Sequence, residues 1–341
     1  MPIRHRLLAL LVAVLWGLNF LAIDTSLGHF PPFFLVALRF TLLAIPTLLL
    51  VPRPDVPWRW LIGYGLGFGT FQFLFLYAGM AAGLPAGIAS LVLQASAPAT
   101  LVLGAVLLRE RVRGVQIVGI VVAVVGLIVV GIQRAELSGA LPFLLVVAGA
   151  LSWSVGNLCN RKAAAAEPMR FAMWMSIVPP LPMLLLSLFV EGPETILDSL
   201  AAAATPEAVP ALLGLLYTMV LGTVVASGIW NRLMARHPAG VVSPFSMLVP
   251  VVGMSAAWIV LGERVTVPEL LGGALVVGGV LLGSRRSLPM PGRRRPARAH
   301  PTAVSPADAA TTGGAVSPEP VPGPTAAAGS TEPDRPSAAR R

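Results

Sequence analysis

The sequence predicts an all-α integral membrane protein in which ten transmembrane helices form two inverted five-helix repeats. Composition is the first reason: hydrophobic residues make up 56% of the 341 residues, charged residues only 11%, and the mean hydropathy is +0.81. A soluble domain of this size could not expose so apolar a surface to water. The other two reasons are apolar stretches long enough to cross a bilayer core of ~30 Å and an internal repeat of fixed spacing.

The apolar stretches define ten predicted spans, numbered span 1 to span 10 in chain order. They cover residues 7–27, 33–51, 60–82, 86–108, 115–131, 139–158, 171–190, 209–230, 240–261 and 268–284. Span 1 follows two arginines, as a signal peptide would, but it is too long for the apolar core of one and lacks a small-residue cleavage site. We therefore expect span 1 to stay in the mature protein. The loop at 191–208 is acidic, and we expect a short surface helix within it.

A repeated motif predicts the inverted arrangement. The run Pro85-Ala86-Gly87 and the pair Glu110-Arg111 return 153 residues later as Pro238-Ala239-Gly240 and Glu263-Arg264. The same spacing relates Ser90 to Ser243, Gly119 to Gly272 and Gly126 to Gly279. The two copies begin spans 4 and 9, which are five spans apart, and an odd number turns the second copy upside down in the membrane. Inverted repeats are typical of secondary transporters, whose substrate sites lie near the bilayer midplane between the halves.

Loop charge predicts that both termini lie in the cytoplasm. In that orientation the inner loops and the first part of the tail hold eighteen Arg and Lys residues, whereas the outer loops hold only Arg134 and Arg264, a strong positive-inside bias. Lys162 is the only lysine, which suggests a GC-rich bacterial genome and hence the bacterial cytoplasmic (inner) membrane. We place the first repeat at 1–134, the second at 135–286 and a cytoplasmic Pro/Ala/Arg-rich tail at 287–341. The tail has too few bulky apolar residues to order itself.

The sequence shows no catalytic constellation, phosphate loop or metal motif, so we expect no enzyme activity, cofactor or metal site. The single cysteine, Cys159, has no partner for an intramolecular disulfide. A net charge of +9 would suggest nucleic acid in a soluble protein. Here arginines at the membrane edges and in the tail account for the charge, so we expect contact with membrane lipid and no nucleic-acid partner.

Two charged residues are predicted to lie inside the membrane, Arg39 in span 2 and Asp24 near the end of span 1. Such residues are costly and usually face a partner or a cavity. One interpretation pairs Arg39 with Asp24 across two neighbouring spans. The other gives them a part in substrate or proton handling, since a guanidinium group suits carboxylate recognition. The sequence leaves both interpretations open.

Uncharged polar side chains supply the other candidates for a substrate site. Trp and Asn lie on one helical face of span 1, and the same pattern returns in span 6, the matching helix of the second half. Spans 3 and 4 each carry a glutamine, whose amide needs an interhelical partner or a cavity. The predicted substrate-binding residues are Trp16, Asn19, Arg39, Gln72, Gln94, Trp153 and Asn157. For the Glu-Arg pairs Glu110-Arg111 and Glu263-Arg264 we expect ion pairs within tight turns.

With these motifs the chain resembles drug/metabolite transporters of the EamA type. The resemblance covers about residues 5 to 285 and rests on Trp16-Gly17-Leu18-Asn19-Phe20, Leu38-Arg39-Phe40, Pro85-Ala86-Gly87 through Gln94, Glu110-Arg111, Gly156-Asn157 through Lys162, Leu248 through Gly253 and Glu263-Arg264. Within that superfamily, the run from Gly87 to Ala95 is most similar to the O-acetylserine/cysteine exporters. Asp24 stands where that branch commonly has a lysine, so an Asp24–Arg39 pair would belong to this chain alone.

The resemblance implies a secondary transporter that exports small amino-acid-like metabolites, of the O-acetylserine/cysteine type, by alternating access. Whether a proton is coupled to transport, and whether the chain forms a homodimer, stay open. An exporter of drugs or hydrophobic cations is the first alternative, and it would need an acidic residue deep in the cavity. A membrane scaffold or membrane enzyme is the alternative from another class, and it would need a polar catalytic cluster at one face.

Overall fold

Ten long apolar helices make up the computed structural model, which describes residues 1–110, 112–237 and 239–284 without the side chains of residues 138, 239 and 240. They are Ile3–Leu27, Pro32–Leu50, Trp58–Ala81, Ala86–Leu108, Gly114–Leu137, Ala140–Ala163, Pro168–Val190, Pro206–Arg236, Ser243–Leu261 and Val267–Ser284, and they are spans 1 to 10 in that order. We call the end of the bundle that holds Met1 and Ser284 the terminal face, and the other end the opposite face. The predicted tail at 287–341 lies outside the described residues.

The helices follow the predicted spans, and several extend beyond them. The largest extensions are of six residues, at the ends of span 5 and span 8, and span 8 continues to Arg236 rather than ending at residue 230. Span 5 was predicted to end at residue 131 but continues to Leu137. The polar residues after position 131 do not end this helix. Arg134 is only 7% exposed, because it forms an ion pair with the fully buried Glu269 of span 10. The loop after span 7 contains the expected surface helix, at Pro193–Ala202.

The two halves share an irregularity in the middle of a span. Span 3 contains a π-helical segment at Gly65–Gln72, and span 8 contains one at Tyr217–Val225. Adding the repeat spacing of 153 residues to the first segment gives 218–225, which is almost the second segment. In each, a threonine hydroxyl donates to the carbonyl oxygen five residues earlier, with distances of 3.3 Å for Thr70 and 2.8 Å for Thr223.

The turns that end spans 4 and 9 also match. Arg109 and Gly262 are related by the same spacing of 153 residues. Both adopt the left-handed conformation, with φ of +54° and +69°. Together with the π-helical segments, this shared turn confirms that the chain contains two repeats of one fold.

Spans 5 and 10 pack against each other through glycines that the repeat relates. A Cβ atom added at Gly126 would lie 2.5 Å from the carbonyl oxygen of Gly272, and one added at Gly279 would lie 2.5 Å from the backbone nitrogen of Ala123. Only glycine permits so close a backbone approach, which is a common way for membrane helices to associate. The outward side of span 5 is apolar and exposed, as Val121 and Ile128 show, and suits contact with lipid.

Candidate functional site

Arg39 lies at the centre of a buried polar cluster formed by spans 2, 3 and 8. The residue is only 3% exposed. Its Nη1 donates to the Tyr77 hydroxyl at 2.9 Å, and its Nη2 donates to Thr223 Oγ1 at 2.8 Å and to the Thr218 carbonyl oxygen at 3.4 Å. The guanidinium carbon lies 4.3 Å from the centroid of the Phe73 ring, within the range of a cation–π contact. Each of these partners is a neutral group.

Of the two interpretations that the sequence left open for Arg39, the structure does not support the pair with Asp24. The ion pairs among the described residues are Arg134–Glu269, Arg161–Glu110 and Arg170–Glu167. Consecutive spans and a similar depth suggested the pair, but the hydrogen bonds of Arg39 all go to spans 3 and 8. Burial raises the pKa of the Glu263 carboxyl, in the loop after span 9, and the charge of Asp24 adds to that rise.

The π-helical segment of span 8 explains why that helix offers acceptors to other spans. A π turn shifts the hydrogen-bond register and leaves carbonyl groups available to side chains. The Thr218 carbonyl accepts from Arg39, and the Gly222 carbonyl accepts from Trp16 Nε1 at 3.0 Å. Trp16 also packs against Trp230 of span 8, with ring centroids 5.2 Å apart. Two predicted site residues therefore meet at one short segment of span 8.

Three of the predicted site residues each have a buried polar atom that lacks a hydrogen-bond partner among the described residues: Arg39 Nε, Asn19 Oδ1 and Gln72 Oε1. Asn19 Oδ1 lies against Gly222, which directly precedes Thr223 in the chain. Gln72 directly precedes Phe73 in span 3, and its backbone carbonyl oxygen lies beside Gly149 of span 6. Unpartnered buried polar atoms are rare and costly, and these residues present one such donor and two such acceptors.

Aromatic rings connect Trp153 of span 6 to this cluster. The Trp153 and Phe68 ring centroids are 5.7 Å apart, and those of Phe68 and Phe73 are 5.8 Å apart. Phe73 then contacts Arg39. We call Trp16, Asn19, Arg39, Gln72 and Trp153, with these contacts, the Arg39 cluster.

The two remaining predicted residues lie elsewhere, towards the terminal face. A cavity of about 380 Å³ lies at that end of spans 4, 5, 6 and 10, and Thr100, Asn157 and Ser243 contribute to its lining. Asn157 Nδ2 donates to Thr100 Oγ1 at 3.3 Å. Gln94 Nε2 donates to the Ser246 carbonyl oxygen of span 9 at 3.2 Å. The predicted site residues thus do not form one group: five belong to the Arg39 cluster, Asn157 lines the terminal-face cavity, and Gln94 contacts span 9.

Sequence reasoning missed Thr223 and Phe73, both of which contact Arg39 directly. Phe73 is one of many aromatic residues in apolar spans and carries no distinguishing pattern. Thr223 could have been found, because it stands 153 residues after Thr70 and so belongs to the repeat.

The Glu263-Arg264 turn differs from the predicted tight-turn ion pair, and the Glu110-Arg111 pair stays a prediction. Glu110 pairs with Arg161 of span 6, and Arg111 lies outside the described residues. Glu263 accepts hydrogen bonds at the start of span 4, from Ala86 N to Oε1 at 2.6 Å and from Gly87 N to Oε2 at 3.0 Å. The carboxylates therefore connect separate spans, which sequence adjacency to an arginine did not indicate.

Ten spans in two repeats, with a buried polar cluster between spans of both halves, are the architecture of a polytopic membrane transporter. The chain belongs to the EamA-like transporter family, whose family model matches residues 5–132 and 140–285. Each match covers one five-helix half.

Several relatives are similar over nearly their whole length. The chain is 41% identical over 284 residues to a protein named "Probable amino-acid metabolite efflux pump" in Salmonella typhimurium, covering 81% of this chain and 93% of the relative. A protein of the same name in Escherichia coli is 40% identical, with 82% and 94% covered. A "Probable terminal-alkyne amino-acid exporter" of Streptantibioticus cattleyicolor is 30% identical, with 84% and 94% covered.

A solved crystal structure shares the fold at low sequence identity. It superposes with a TM-score of 0.56 at 20% identity, covering 83% of this chain and 96% of the other. The match supports the architecture of the bundle alone.

Proposed function

We propose that this protein exports small amino-acid-like metabolites, of the O-acetylserine and cysteine type, and that Arg39 binds the substrate carboxylate. The observation that carries the proposal is a buried guanidinium group whose described partners are all neutral. A charge in this position is costly without a counter-charge. A substrate carboxylate would supply one, and the names of the similar efflux pumps and exporter support an amino-acid class.

The unpartnered atoms of the Arg39 cluster suit both ends of an amino acid. Arg39 Nε is a free donor that can complete a two-point contact with a carboxylate. Asn19 Oδ1 and Gln72 Oε1 are free acceptors that can receive an ammonium group. Trp16 and Trp153 would close the sides of the site, while Asn157 and Gln94 would contact substrate on its path through the terminal-face cavity.

An exporter of hydrophobic cations is the second candidate, and the charges of the site disfavour it. A lipophilic cation would meet a buried arginine at Arg39. The acidic candidate of the sequence, Asp24, acts through its charge on Glu263 at the opposite face instead. The drug-type alternative therefore has no buried anion in this cluster to support it.

Growth and efflux together test the proposed substrate class. A strain that overproduces the protein is grown on graded cysteine, toxic amino-acid analogues and lipophilic cations, and labelled cysteine or O-acetylserine appearing in the medium is measured. We expect raised tolerance and faster efflux for the amino-acid compounds only. Arg53→Ala is the matched control for arginine loss, since Arg53 is exposed and stacks on Trp58. Protection against the cations alone would overturn the proposal.

We place the protein in the bacterial cytoplasmic membrane with both termini in the cytoplasm. The bacterial relatives and the distribution of basic residues support this location. In this orientation the terminal-face cavity opens towards the cytoplasm, the side from which an exporter collects its substrate.

A further inference from the structure

We infer that Glu263 and Glu110 are the two gate carboxylates of the transport cycle. Each closes one face by capping the Pro-Ala-Gly helix of the other repeat, and the two caps form in turn. This inference rests on the proposed transport by alternating access. It adds positioning residues that act through helix ends and do not touch the substrate.

The cap at the opposite face is formed in this structure. Both carboxylate oxygens of Glu263 accept from backbone N–H groups at the start of span 4, at 2.6 Å and 3.0 Å. These N–H groups have no partner within their own helix, and the positive end of the helix dipole adds to the attraction. Ser90, one turn further into span 4, is only 1% exposed. The start of span 4 is therefore held against the loop after span 9 in this structure.

The equivalent positions at the terminal face have the opposite arrangement. Glu110 pairs with Arg161, and its side chain is 44% exposed. Ser243, the repeat equivalent of the buried Ser90, contributes to the lining of the terminal-face cavity. Ser90 is buried, whereas its repeat equivalent Ser243 lines a cavity. This structure therefore corresponds to one of two states, which differ in the face at which the cap is formed.

The repeat relates every member of the observed cap to a member of the second cap. Subtracting 153 from Glu263 gives Glu110, and adding 153 to Ala86 and Gly87 gives Ala239 and Gly240. Ala239 begins the short helix Ala239–Val242, as Ala86 begins the helix of span 4. Exchanging the conformations of two inverted repeats produces the other state of such a carrier. In that state Glu110 caps Ala239 and Gly240, and Glu263 is released.

Cysteine labelling measures the two gates without any substrate. Cys159 is the only cysteine, so Cys159→Ser gives a cysteine-free background, and Ser90→Cys and Ser243→Cys are nearly isosteric reporters. Purified protein in detergent is labelled with a water-soluble maleimide, which reaches both faces at once. The gate variants are Glu263→Gln and Glu110→Gln, and Glu136→Gln is the control, an exposed carboxylate at the opposite face.

The proposed gate predicts that the two gate variants change the labelling rate of the Ser90→Cys reporter in opposite directions. Glu263→Gln weakens the cap of this state, so we expect Ser90→Cys to label about tenfold faster, since hydrogen bonds to charged groups are worth roughly one power of ten or more in an equilibrium. Glu110→Gln weakens the cap of the other state and should slow that labelling by a similar factor. The double variant should return towards the unmodified rate, and Ser243→Cys should label more slowly in Glu263→Gln.

Two results would overturn the gate. One is faster labelling of both reporters in Glu263→Gln, which would indicate general loosening of the bundle. The other is a labelling rate of Ser90→Cys that does not change when Glu110→Gln is added. If Glu263→Gln fails to fold, the measurement with Glu110→Gln is sufficient to decide. Because no substrate is added, the gate can fail while export of amino acids succeeds. The reverse result, opposite signs in labelling with no export, would reject the substrate class and keep the gate.

Discussion

Arg39 shows how neighbouring groups can hold a buried charged side chain in place while none of its described partners carries the opposite charge. Tyr77, Thr218 and Thr223 satisfy both terminal nitrogens of its guanidinium group, and Phe73 lies under it. These contacts fix the side chain without neutralising its charge. A site that is oriented in advance and lacks its counter-ion favours an anionic substrate, because ordering costs little at the moment of binding.

Replacing Arg39 separates its charge from its geometry. We expect Arg39→Ala to abolish efflux and Arg39→Lys to leave it lower by about tenfold or more, since lysine keeps the charge but loses the planar two-point contact. Both variants should still be found in the membrane, as measured by immunoblotting beside the efflux assay. Asp24→Asn with Arg39→Gln would restore efflux only if the two residues formed a pair. We expect no restoration, and a recovered efflux would remove Arg39 from the substrate site.

Tyr77→Phe tests whether the orientation of Arg39 matters as well as its presence. Losing the hydroxyl leaves a buried charged donor without its acceptor, a change worth about 1–3 kcal/mol. We expect a several-fold lower efflux at low substrate concentration. Tyr217→Phe is the matched control, because the Tyr217 hydroxyl donates to the Leu15 carbonyl and not to Arg39. Equal losses in the two variants would contradict a specific role for Tyr77.

At the scale of the helices, the sequence predicted which helices exist better than it predicted the backbone conformation within each helix. Hydropathy predicted all ten spans, because length and apolar character are local properties. It did not predict the π-helical segments of spans 3 and 8, where apolar and small residues continue without interruption. Such a change of register depends on the groups that the neighbouring spans offer, as Trp16 and Arg39 do for span 8.

The turn after span 9 allows the effect of backbone conformation on stability to be tested without a change in side-chain packing. Gly262 has a φ of +69°, and an added Cβ atom would meet no heavy atom within 4 Å. Gly262→Ala should therefore lower the free energy of unfolding by about 1 kcal/mol through backbone strain alone. Gly278→Ala is the opposite control, since Gly278 lies inside span 10 with equally open space and should gain about 0.5–1 kcal/mol. Thermal unfolding in detergent measures both, and the same sign in both variants would contradict this account.

At the scale of the whole molecule, the sequence repeat predicted the architecture, whereas the contacts within the candidate site became known only from the structure. A constant spacing of 153 residues is visible in the chain and indicates two inverted halves. The contacts of the site join residues far apart in sequence, such as Trp16 with Gly222 and Arg39 with Thr223. Which face of each helix points inward depends on the rotation of every span, so a similar depth could not decide whether Arg39 and Asp24 form a pair. The sequence named residues that belong to the Arg39 cluster, but it could not tell which of them contact one another.

The distribution of arginine predicts the orientation of the molecule, and the structure strengthens the prediction. Of the two basic residues at the opposite face, Arg134 is buried in an ion pair with Glu269. Its charge is compensated within the bundle, so it contributes little to the positive charge of its loop. The terminal face carries nearly all the remaining basic residues of the loops. The terminal face should therefore be cytoplasmic.

Reporter fusions test that orientation directly. An enzyme that is active only outside the cytoplasmic membrane should be inactive when fused after Ser284 and active when inserted within residues 191–208, beside the surface helix Pro193–Ala202. A reporter that is active only in the cytoplasm, fused at the same two points, is the control for expression and should give the reverse pattern. If the first reporter is active after Ser284 and inactive at 191–208, the terminal-face cavity opens outside the cell. The closed cap of Glu263 would then face the cytoplasm, and this structure would represent the state that releases substrate rather than the state that collects it.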